Sequence, residues 1–315
     1  MPEHDRTGSL ALRDSWVGVP SFPKGRPIPT VLEFLSVRFP RVARDEWRRR
    51  LAEGRVWDES GRTLTADEPC PSGGRLRYRR EVLEEPQIPF EEAILEEDEE
   101  ILVADKPPFL PVTPSGRWVN ECLLYRLIRR TGCAALQPIH RLDRETAGVV
   151  LLVKTVPARR LYGKWMAAGL FEKRYEAVAR WRGDPVATEW TVESRIVRGH
   201  PWFRVASDPA GPPNARTRIR LLETSGRWGY YEIVPETGKQ HQIRLHMAES
   251  GAPIRHDPFY PVLQPAPKSS WERPLQLLAR VLSWRDPRTG QKRVFESRFR
   301  LEWPVREPDG NDALK

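Results

Sequence analysis

The stretch His140–Lys154, HRLDRETAGVVLLVK, is the part of this 315-residue chain that says most about its fold. A polar, turn-forming segment that contains Asp143 and Gly148 runs directly into the apolar residues Val149–Val153. A short apolar run bounded by turn residues is typical of a buried strand. Asp143 therefore stands at a strand entrance, where a side chain can face a cleft. From the residues alone, catalysis and an Asx turn that orders the loop are equally good interpretations of Asp143.

On both sides of this strand the apolar pattern changes repeatedly between helical and strand periodicity. Helices are predicted at Asn120–Thr131, with Asn120 as N-cap and Gly132 beyond the end, at Leu161–Ala168 and at Gln242–Ser250. Further strands are predicted at Ile101–Ala104, Tyr175–Ala179 and Gly229–Val234. No repeat and no regular βαβ period is visible. The pattern predicts an α+β domain with a mixed, mainly antiparallel sheet and flanking helices.

The chain divides into four predicted parts. Residues 1–27 contain Pro20, Pro23 and Pro27 and are expected to form an irregular N-terminal arm. Residues 28–82 are predicted to form a small α/β module, 83–306 the main α+β domain and 307–315 a C-terminal tail. The elements expected in the module are helices at Val31–Val37 and Arg44–Glu53 and short strands at Arg55–Trp57, Thr63–Thr65 and Arg75–Tyr78.

Composition narrows the class of partner. The chain carries 52 Lys and Arg against 43 Asp and Glu, a net charge of +9, which favours polyanions, with nucleic acid the leading class. A hydrophobic share of 39% supports a packed core and excludes global disorder. The cysteines Cys70, Cys122 and Cys133 lack CxxC spacing and predict a reducing compartment. Without an apolar leader or an 18-residue apolar run, we expect a cytoplasmic protein with no membrane span.

Metal and nucleotide chemistry have little support in the sequence. His241 and His246 are five residues apart, unlike the i, i+4 pair of a zinc-binding helix, so no metal is expected. The P-loop, G-x-G-x-x-G and G-x-S-x-G patterns are absent. The remaining polar candidates lie at segment ends: Asp105–Pro107, His140–Asp143, Lys173–Tyr175 and Gln240–His246.

Four blocks of the sequence resemble, in the right order, the motifs of the RluA-type pseudouridine synthases. Asp105–Gly116 is similar to the opening motif and His140–Lys154 to the catalytic motif. Thr237–Asp257 is similar to a second long motif, and Leu275–Gly290 to the closing block. An isolated HRLD tetrapeptide arises by chance, whereas four ordered blocks do not. The resemblance covers residues 87–303.

The resemblance implies a sheet of the pseudouridine synthase type and isomerisation of uridine to pseudouridine in structured ribosomal or transfer RNA, without a cofactor. Asp143 matches the family's catalytic aspartate, which either attacks the anomeric carbon or acts as base in a glycal route. Arg244 matches the arginine that pairs with this aspartate, because a guanidinium holds a partly desolvated carboxylate in its charged form. Tyr175 matches the aromatic residue that stacks on the target uracil.

The resemblance also implies contacts to RNA or to the target base at Arg141, His140, Lys106, Lys239, His241 and Leu277. The target base must leave its stack, and Arg141 corresponds to the residue that fills the gap. His140 is expected to shape the loop. Lys106 and Lys239 are expected at phosphates or at the edge of the pocket.

The N-terminal module resembles a small RNA-binding module shared with a small-subunit ribosomal protein. Its two helices and the segment 44–57, RDEWRRRLAEGRVW, carry the likeness. Asp45 and Glu46 interrupt the positive face, and Ala43-Arg44 replaces the usual Ser-Arg pair, so we expect a degenerate module with weak RNA contact. Two alternatives stay open at this point: an RNA clamp without turnover, and a hydrolase that acts through Asp143. A monomer is expected.

Overall fold

The structure is a computed structural model that describes residues 11–23, 25, 27–40, 42–82, 85–116, 118–183, 188–264 and 271–304. The predicted C-terminal tail 307–315 and the first ten residues of the predicted arm lie outside the described residues. The chain forms two compact units. Unit 1 comprises residues 1–86 and 116–120, and unit 2 comprises residues 87–115 and 121–315.

Unit 1 combines a small antiparallel sheet with two helices. Its elements are β1 (Ala11–Gly18), α1 (Val31–Arg38), α2 (Arg44–Ala52), β2 (Val56–Trp57) and β3 (Arg75–Val82). The strands pair in the order β1-β3-β2. Thr30 and Glu33 form a capping box at the start of α1, which satisfies backbone N–H groups that the first turn leaves unpaired. The two helices share an apolar core with one face of the sheet, around Leu35, Trp47 and Leu76.

Two predictions for unit 1 are wrong. Residues 11–18 of the predicted irregular arm form strand β1, which pairs with β3 along its whole length. The prolines that suggested an arm all follow this strand, so they do not interrupt its ladder. The strand predicted at Thr63–Thr65 is reduced to one isolated bridge between Trp57 and Thr63.

Unit 2 is built on one large sheet. Its helices are α3 (Leu123–Thr131), α4 (Val156–Ala167) and α5 (Gln242–Glu249). Its strands are β4 (Ala93–Glu97), β5 (Ile101–Lys106), β6 (Gln137–Pro138), β7 (Ala147–Val153), β8 (Phe171–Arg180), β9 (Glu189–Ser194), β10 (Ile196–Arg198), β11 (Val205–Ser207), β12 (Ala215–Ser225), β13 (Trp228–Pro235), β14 (Leu277–Arg285) and β15 (Lys292–Glu296).

Within the described ranges of unit 2 the sheet runs β4-β5-β7-β14-β8-β13-β12-β9, with β15 beside β14 and β6 beside β7. Strands β10 and β11 form a separate ribbon. The β7–β14 pair is parallel, and the other recorded pairs are antiparallel. The predicted mixed, mainly antiparallel α+β class is therefore confirmed.

Strand β7 lies inside this sheet, between β5 and β14, and is buried along its whole length. A continuous apolar run is what a strand covered on both faces requires. Helix α4 packs on one region through Tyr162 and Trp165, in a cluster with Val149 and Leu151. A second cluster joins α5 to β8 and β13. These two clusters fix the ends of β7 and α5 that carry the polar motifs.

Two helix starts differ from the prediction. Helix α3 begins at Leu123 with Cys122 as its N-cap, so Asn120 as N-cap is wrong, although Gly132 ends the helix in the left-handed conformation as expected. Helix α4 begins at Val156, where the Thr155 side chain accepts a hydrogen bond from the backbone N–H of Ala158. Pro157 lies in the first turn of α4, where its missing N–H group removes no hydrogen bond of the helix. No helix in the described parts of the chain has the length and apolar character of a membrane span.

Candidate active site

A cleft of about 800 Å³ opens in unit 2 beside the loop that precedes β7. The loop, the first turn of α5 and strand β8 contribute to its walls. All the predicted site residues except Lys106 line this cleft: His140, Arg141, Asp143, Tyr175, Lys239, His241, Arg244 and Leu277. Segments that lie far apart in the sequence are thus brought to one place.

Asp143 and Arg244 face each other across the floor of the cleft. Oδ2 of Asp143 lies 3.3 Å from Nη1 of Arg244. The Arg244 side chain is 1% exposed, and the Asp143 side chain is 20% exposed. The carboxylate therefore contacts a buried guanidinium on one side and open space on the other.

Asp257 holds the Arg244 guanidinium in place. Nε and Nη2 of Arg244 donate to the two oxygens of Asp257 at 2.8 and 2.6 Å, a bidentate arrangement that fixes both distance and orientation. Oδ1 of Asp257 also accepts the backbone N–H groups of Phe259 and Tyr260, at 2.8 and 3.1 Å. The Phe259 ring centroid lies 4.7 Å from Cζ of Arg244, a cation–π contact.

Glu145 is a third carboxylate beside Arg244, with Oε2 at 3.6 Å from Nη1. Burial alone would raise the pKa of Glu145, but the guanidinium charges of Arg244 and Arg144 outweigh burial and lower it. Burial likewise opposes the charge of Arg244, and the surrounding carboxylates, Asp257 first, raise its pKa instead. The pKa shifts of Glu145 and Arg244 therefore both favour the charged form.

Sequence reasoning did not assign a role to Asp257 or Glu145. Both lie inside the quoted motifs, Asp257 at the end of the second long motif and Glu145 two residues after Asp143. Their position in the motifs was the available signal. Their contact with Arg244 depends on how distant segments fold together, which spacing does not reveal.

His241 lies beside the same carboxylate, at the N-cap of α5, with φ of 51°. Its Nε2 is 3.8 Å from Oδ1 of Asp143, and its Nδ1 is 3.2 Å from the Tyr260 hydroxyl. Burial lowers the pKa of His241, although the Asp143 charge opposes this shift. The imidazole is therefore neutral at pH 7 and adds no charge next to Asp143.

His246 is directed away from the cleft and is fully buried. Its Nδ1 lies 2.8 Å from Oγ1 of Thr217, and its Nε2 lies 2.9 Å from Oγ of Ser194. Both ring nitrogens are thus engaged within the protein. No group of three or more His, Cys, Asp or Glu side chains with the geometry of a metal site occurs among the residues that the structure describes.

Tyr175 forms part of the cleft wall from the middle of the sheet. On β8 it stands opposite Ile233 of β13 and Ala279 of β14. Burial, and then the negative charge of Asp143, raise the pKa of Tyr175, so its hydroxyl stays protonated. Leu277 adds a buried apolar surface, whereas Arg141 and Lys239 are exposed at the rim.

The predicted RNA contact of Lys106 is wrong. Its side chain is fully buried, and its ammonium group donates to the backbone carbonyls of Pro107, Leu110 and Arg144 at 2.9, 2.8 and 3.2 Å. Burial lowers the pKa of Lys106 to about 7. The residue therefore ties the opening motif to the loop of Asp143, and no phosphate can reach it.

His140 supports the same loop from the other side. Its Nε2 accepts the backbone N–H of Leu151 at 3.1 Å. Burial lowers the pKa of His140 to about 3, with the charge of Lys173 acting in the same direction, so the ring is neutral. This contact fits the expected part in shaping the loop.

Gly148 allows β14 to approach the start of β7 closely. It has φ of 121° and pairs with Ala279 in the parallel ladder. A Cβ atom at this position would lie 2.3 Å from the carbonyl oxygen of Ala279. Glycine is thus required both by the backbone conformation and by the lack of space.

Known proteins are similar to this chain in the segments that form the cleft. The RNA pseudouridylate synthase family profile matches residues 100–249. The chain is 30% identical over 231 residues to an uncharacterised RNA pseudouridine synthase of Synechocystis, covering 73% of this chain and 79% of the relative. It is 32% identical over 251 residues to the ribosomal large subunit pseudouridine synthase D of Escherichia coli, covering 76% of this chain and 74% of that protein.

A solved structure, human RNA pseudouridylate synthase domain containing 1, shares the fold at 19% identity and a TM-score of 0.55, covering 68% of this chain and 86% of that one. The profile match spans the loop of Asp143, strand β8 and the whole of α5. Two relatives at 30% identity or more extend the similarity over most of both chains. The chain thus belongs to the family of RNA pseudouridine synthases, the enzymes that isomerise uridine within RNA.

Proposed function

We propose that Asp143 is the catalytic carboxylate with which this enzyme converts uridine to pseudouridine in structured ribosomal or transfer RNA. One observation carries the assignment. Of the three carboxylates around Arg244, the side chain of Asp143 is 20% exposed, against 7% for Glu145 and 1% for Asp257. Asp143 is thus the carboxylate of this cluster that can touch a nucleotide in the cleft, while the other two hold its partner.

Arg244 is the cationic partner of this carboxylate, at 3.3 Å. An ion pair of this kind offsets the cost of keeping a carboxylate ionised where water is partly excluded. An ionised carboxylate is what both open routes require, attack on the anomeric carbon or proton removal toward a glycal. Because Asp257 fixes the guanidinium by two hydrogen bonds, the partner of the Asp143 carboxylate is in place before substrate binds.

The walls of the cleft suit a uracil that has left its stack. We assign the Tyr175 ring and the Leu277 side chain to its faces, since aromatic and apolar groups hold an unstacked base. Flipping a base costs a few kcal/mol. The exposed guanidinium of Arg141 at the rim has the planar shape to fill the gap, and Lys239 is placed to meet a phosphate.

Tritium release tests the assignment directly. RNA that carries tritium at carbon 5 of uracil loses that label to water when carbon 5 joins the ribose. We expect the wild type to release tritium and the Asp143→Asn variant to lose at least about a hundredfold in rate while it still binds RNA. Large-subunit ribosomal RNA is the first substrate to test, because one relative carries that substrate in its name; transfer RNA is the second.

Asp45→Asn is the matched control, because it makes the same chemical change at a side chain that is 92% exposed in unit 1. This variant should release tritium at the wild-type rate. An Asp143→Asn rate within about tenfold of the wild type would contradict the catalytic assignment. RNA binding without any release by the wild type would support the RNA clamp.

We also propose that the enzyme works as a monomer in the cytoplasm. All three cysteines are free thiols, which fits a reducing compartment. Light scattering of the purified chain and fractionation of the cells that express it test the two parts of this proposal.

A further inference from the structure

Three arginines and two tryptophans form a ladder on one face of the unit 1 sheet, which we call the Arg–Trp ladder: Trp16, Trp57, Arg75, Arg77 and Arg79. Arg77 stands opposite Trp16 of β1 on one side and Trp57 of β2 on the other. Its Cζ lies 6.0 Å from the first ring and 4.7 Å from the second. Cζ of Arg75 is 4.9 Å from the Trp16 ring, and Cζ of Arg79 is 5.3 Å from the Trp57 ring.

The ladder lies on the face of the sheet that points away from the helices. Successive side chains of a strand alternate between faces, so the three arginines of β3 share one side. Leu76 and Tyr78, on the opposite side, belong to the apolar core with α1 and α2. Trp16 is 48% exposed and the Arg75 side chain is 61% exposed. Trp16 and Arg75 therefore offer an aromatic and a cationic group to solvent, and Trp57, Arg77 and Arg79 are partly buried beside them.

Helix α2, which carries the resemblance to an RNA-binding module, has lost much of its positive charge to internal ion pairs. Arg48 pairs with Asp45, and both Arg49 and Arg50 pair with Glu46, at 3.3, 2.9 and 2.7 Å. On the ladder, Arg75 pairs with Glu59 at 2.9 Å, but both side chains are at least half exposed, where such a pair is weak. Helix α2 also has no exposed aromatic ring, because its Trp47 is fully buried, so the sheet face is the better place in unit 1 for unpaired bases.

We propose that the Arg–Trp ladder binds an unpaired segment of the RNA substrate, with bases stacked on the indole and guanidinium planes and phosphates paired to the arginines. The proposal rests on the proposed function, because it takes RNA as the substrate. Aromatic rings and guanidinium groups stack on any base, and arginine pairs with phosphate through its planar fork. The ladder therefore adds affinity for RNA and does not choose the uridine.

The test uses the full-length chain and a 12-nucleotide oligoadenylate, which contains no uridine and so is not a substrate for the cleft. Binding is followed by filter retention at several salt concentrations. Trp16→Leu and Trp57→Leu keep an apolar side chain but remove the aromatic face, and each should weaken binding about tenfold. Arg75→Gln should reduce the slope of log affinity against log salt by about 0.7, the value for one phosphate contact on a single strand.

Trp202→Leu is the matched control, because it removes a tryptophan in unit 2 that is 59% exposed. It should bind the oligoadenylate as the wild type does. Binding by the ladder variants within twofold of the wild type, or an equal loss in the Trp202 variant, would overturn the proposal. So would a wild type that does not bind the oligoadenylate but captures an acidic peptide through the same arginines. If Trp57→Leu does not fold, the exposed positions Trp16 and Arg75 still decide the outcome.

Turnover separates this proposal from the assignment of the cleft. With tritiated structured RNA, the ladder variants should raise KM and leave kcat at saturating RNA unchanged. Failure of Asp143→Asn to reduce turnover would remove the catalytic assignment but would leave the oligoadenylate result intact. Unchanged KM and unchanged oligoadenylate binding in the ladder variants would refute the proposal for the Arg–Trp ladder and leave the assignment of Asp143 intact.

Discussion

Asp257→Asn tests whether catalysis depends on the group that holds Arg244. The substitution keeps the size of the side chain and removes its charge. Asparagine retains one acceptor oxygen, so it can keep one of the two hydrogen bonds from Arg244, at 2.8 and 2.6 Å. Its amide NH₂ then faces an N–H group of the guanidinium, and two donors repel each other.

The magnitude follows from these contacts. A hydrogen bond to a charged group contributes about 1.5–3 kcal/mol, and the site is almost fully buried, so we expect the upper end, about 3 kcal/mol of unfolding free energy. For a unit of this size that corresponds to a fall in Tm of about 6–12 °C. The guanidinium, held by one hydrogen bond instead of two, shifts relative to Asp143, and a misplacement of about 1 Å costs on the order of a hundredfold in rate.

The assay combines thermal unfolding with steady-state tritium release. Asp257 is not part of the cleft wall, so KM for RNA should stay near the wild-type value while kcat falls. A purely structural role would lower Tm without changing kcat of the folded fraction. The split between kcat and KM therefore distinguishes positioning from stability.

Asp286→Asn is the matched control. Asp286 binds Arg288 through both oxygens, at 3.1 and 2.8 Å, outside the residues that line the cleft. It should lower stability without lowering kcat. If Asp257→Asn retains the kcat of the wild type, whether or not its Tm falls, the argument that Asp257 positions Arg244 is refuted.

Two further predictions concern stability. Gly148→Ala should lower the free energy of unfolding in urea by at least about 3 kcal/mol, because its Cβ would overlap the Ala279 carbonyl. The control Gly163→Ala, in open space on α4, should be neutral or stabilising. Equal effects of the two substitutions would contradict this prediction. Burial lowers the pKa of His246 from 6.5 to about 4, so only the unfolded chain takes up a proton between these values. The stability that a neutral His246 contributes is complete above pH 6.5 and falls by about 3 kcal/mol as the pH drops toward 4. His246→Gln should reduce the slope of the unfolding free energy against pH between pH 6.5 and pH 4. An unchanged slope would refute the assignment of this pH dependence to His246.

Much of the element pattern could be predicted because it is local. The apolar run Val149–Val153 specifies a buried strand, and the glycine after Thr131 specifies a helix end, whatever the rest of the chain does. The errors arose where two local signals competed. Prolines near residue 20 concealed the strand Ala11–Gly18, and a good capping residue at Asn120 was preferred over the actual start at Leu123.

The candidate site was predictable as far as it follows motifs. The motifs assign the chemistry to Asp143, Tyr175 and Arg244, and the structure places these three residues around one cleft. The prediction for Lys106 is wrong because the motif has the same sequence whether its lysine binds a phosphate or donates to three backbone carbonyls. The choice depends on burial, which a single motif does not specify.

The sequence by itself determined the family, the class of fold and the residue types at the site, because periodicity and motif order are properties of neighbouring residues. Only the tertiary structure decided which of three carboxylates opens to the cleft, since Asp143 meets Arg244 across 101 positions of sequence and Glu145 and Asp257 close around the same guanidinium. It also decided that Arg49 and Arg50 of α2 form ion pairs with Glu46, and that Arg77 of β3 stacks on Trp57. Exposure and charge pairing arise from contacts between distant segments, and for that reason they appear only when the chain is folded.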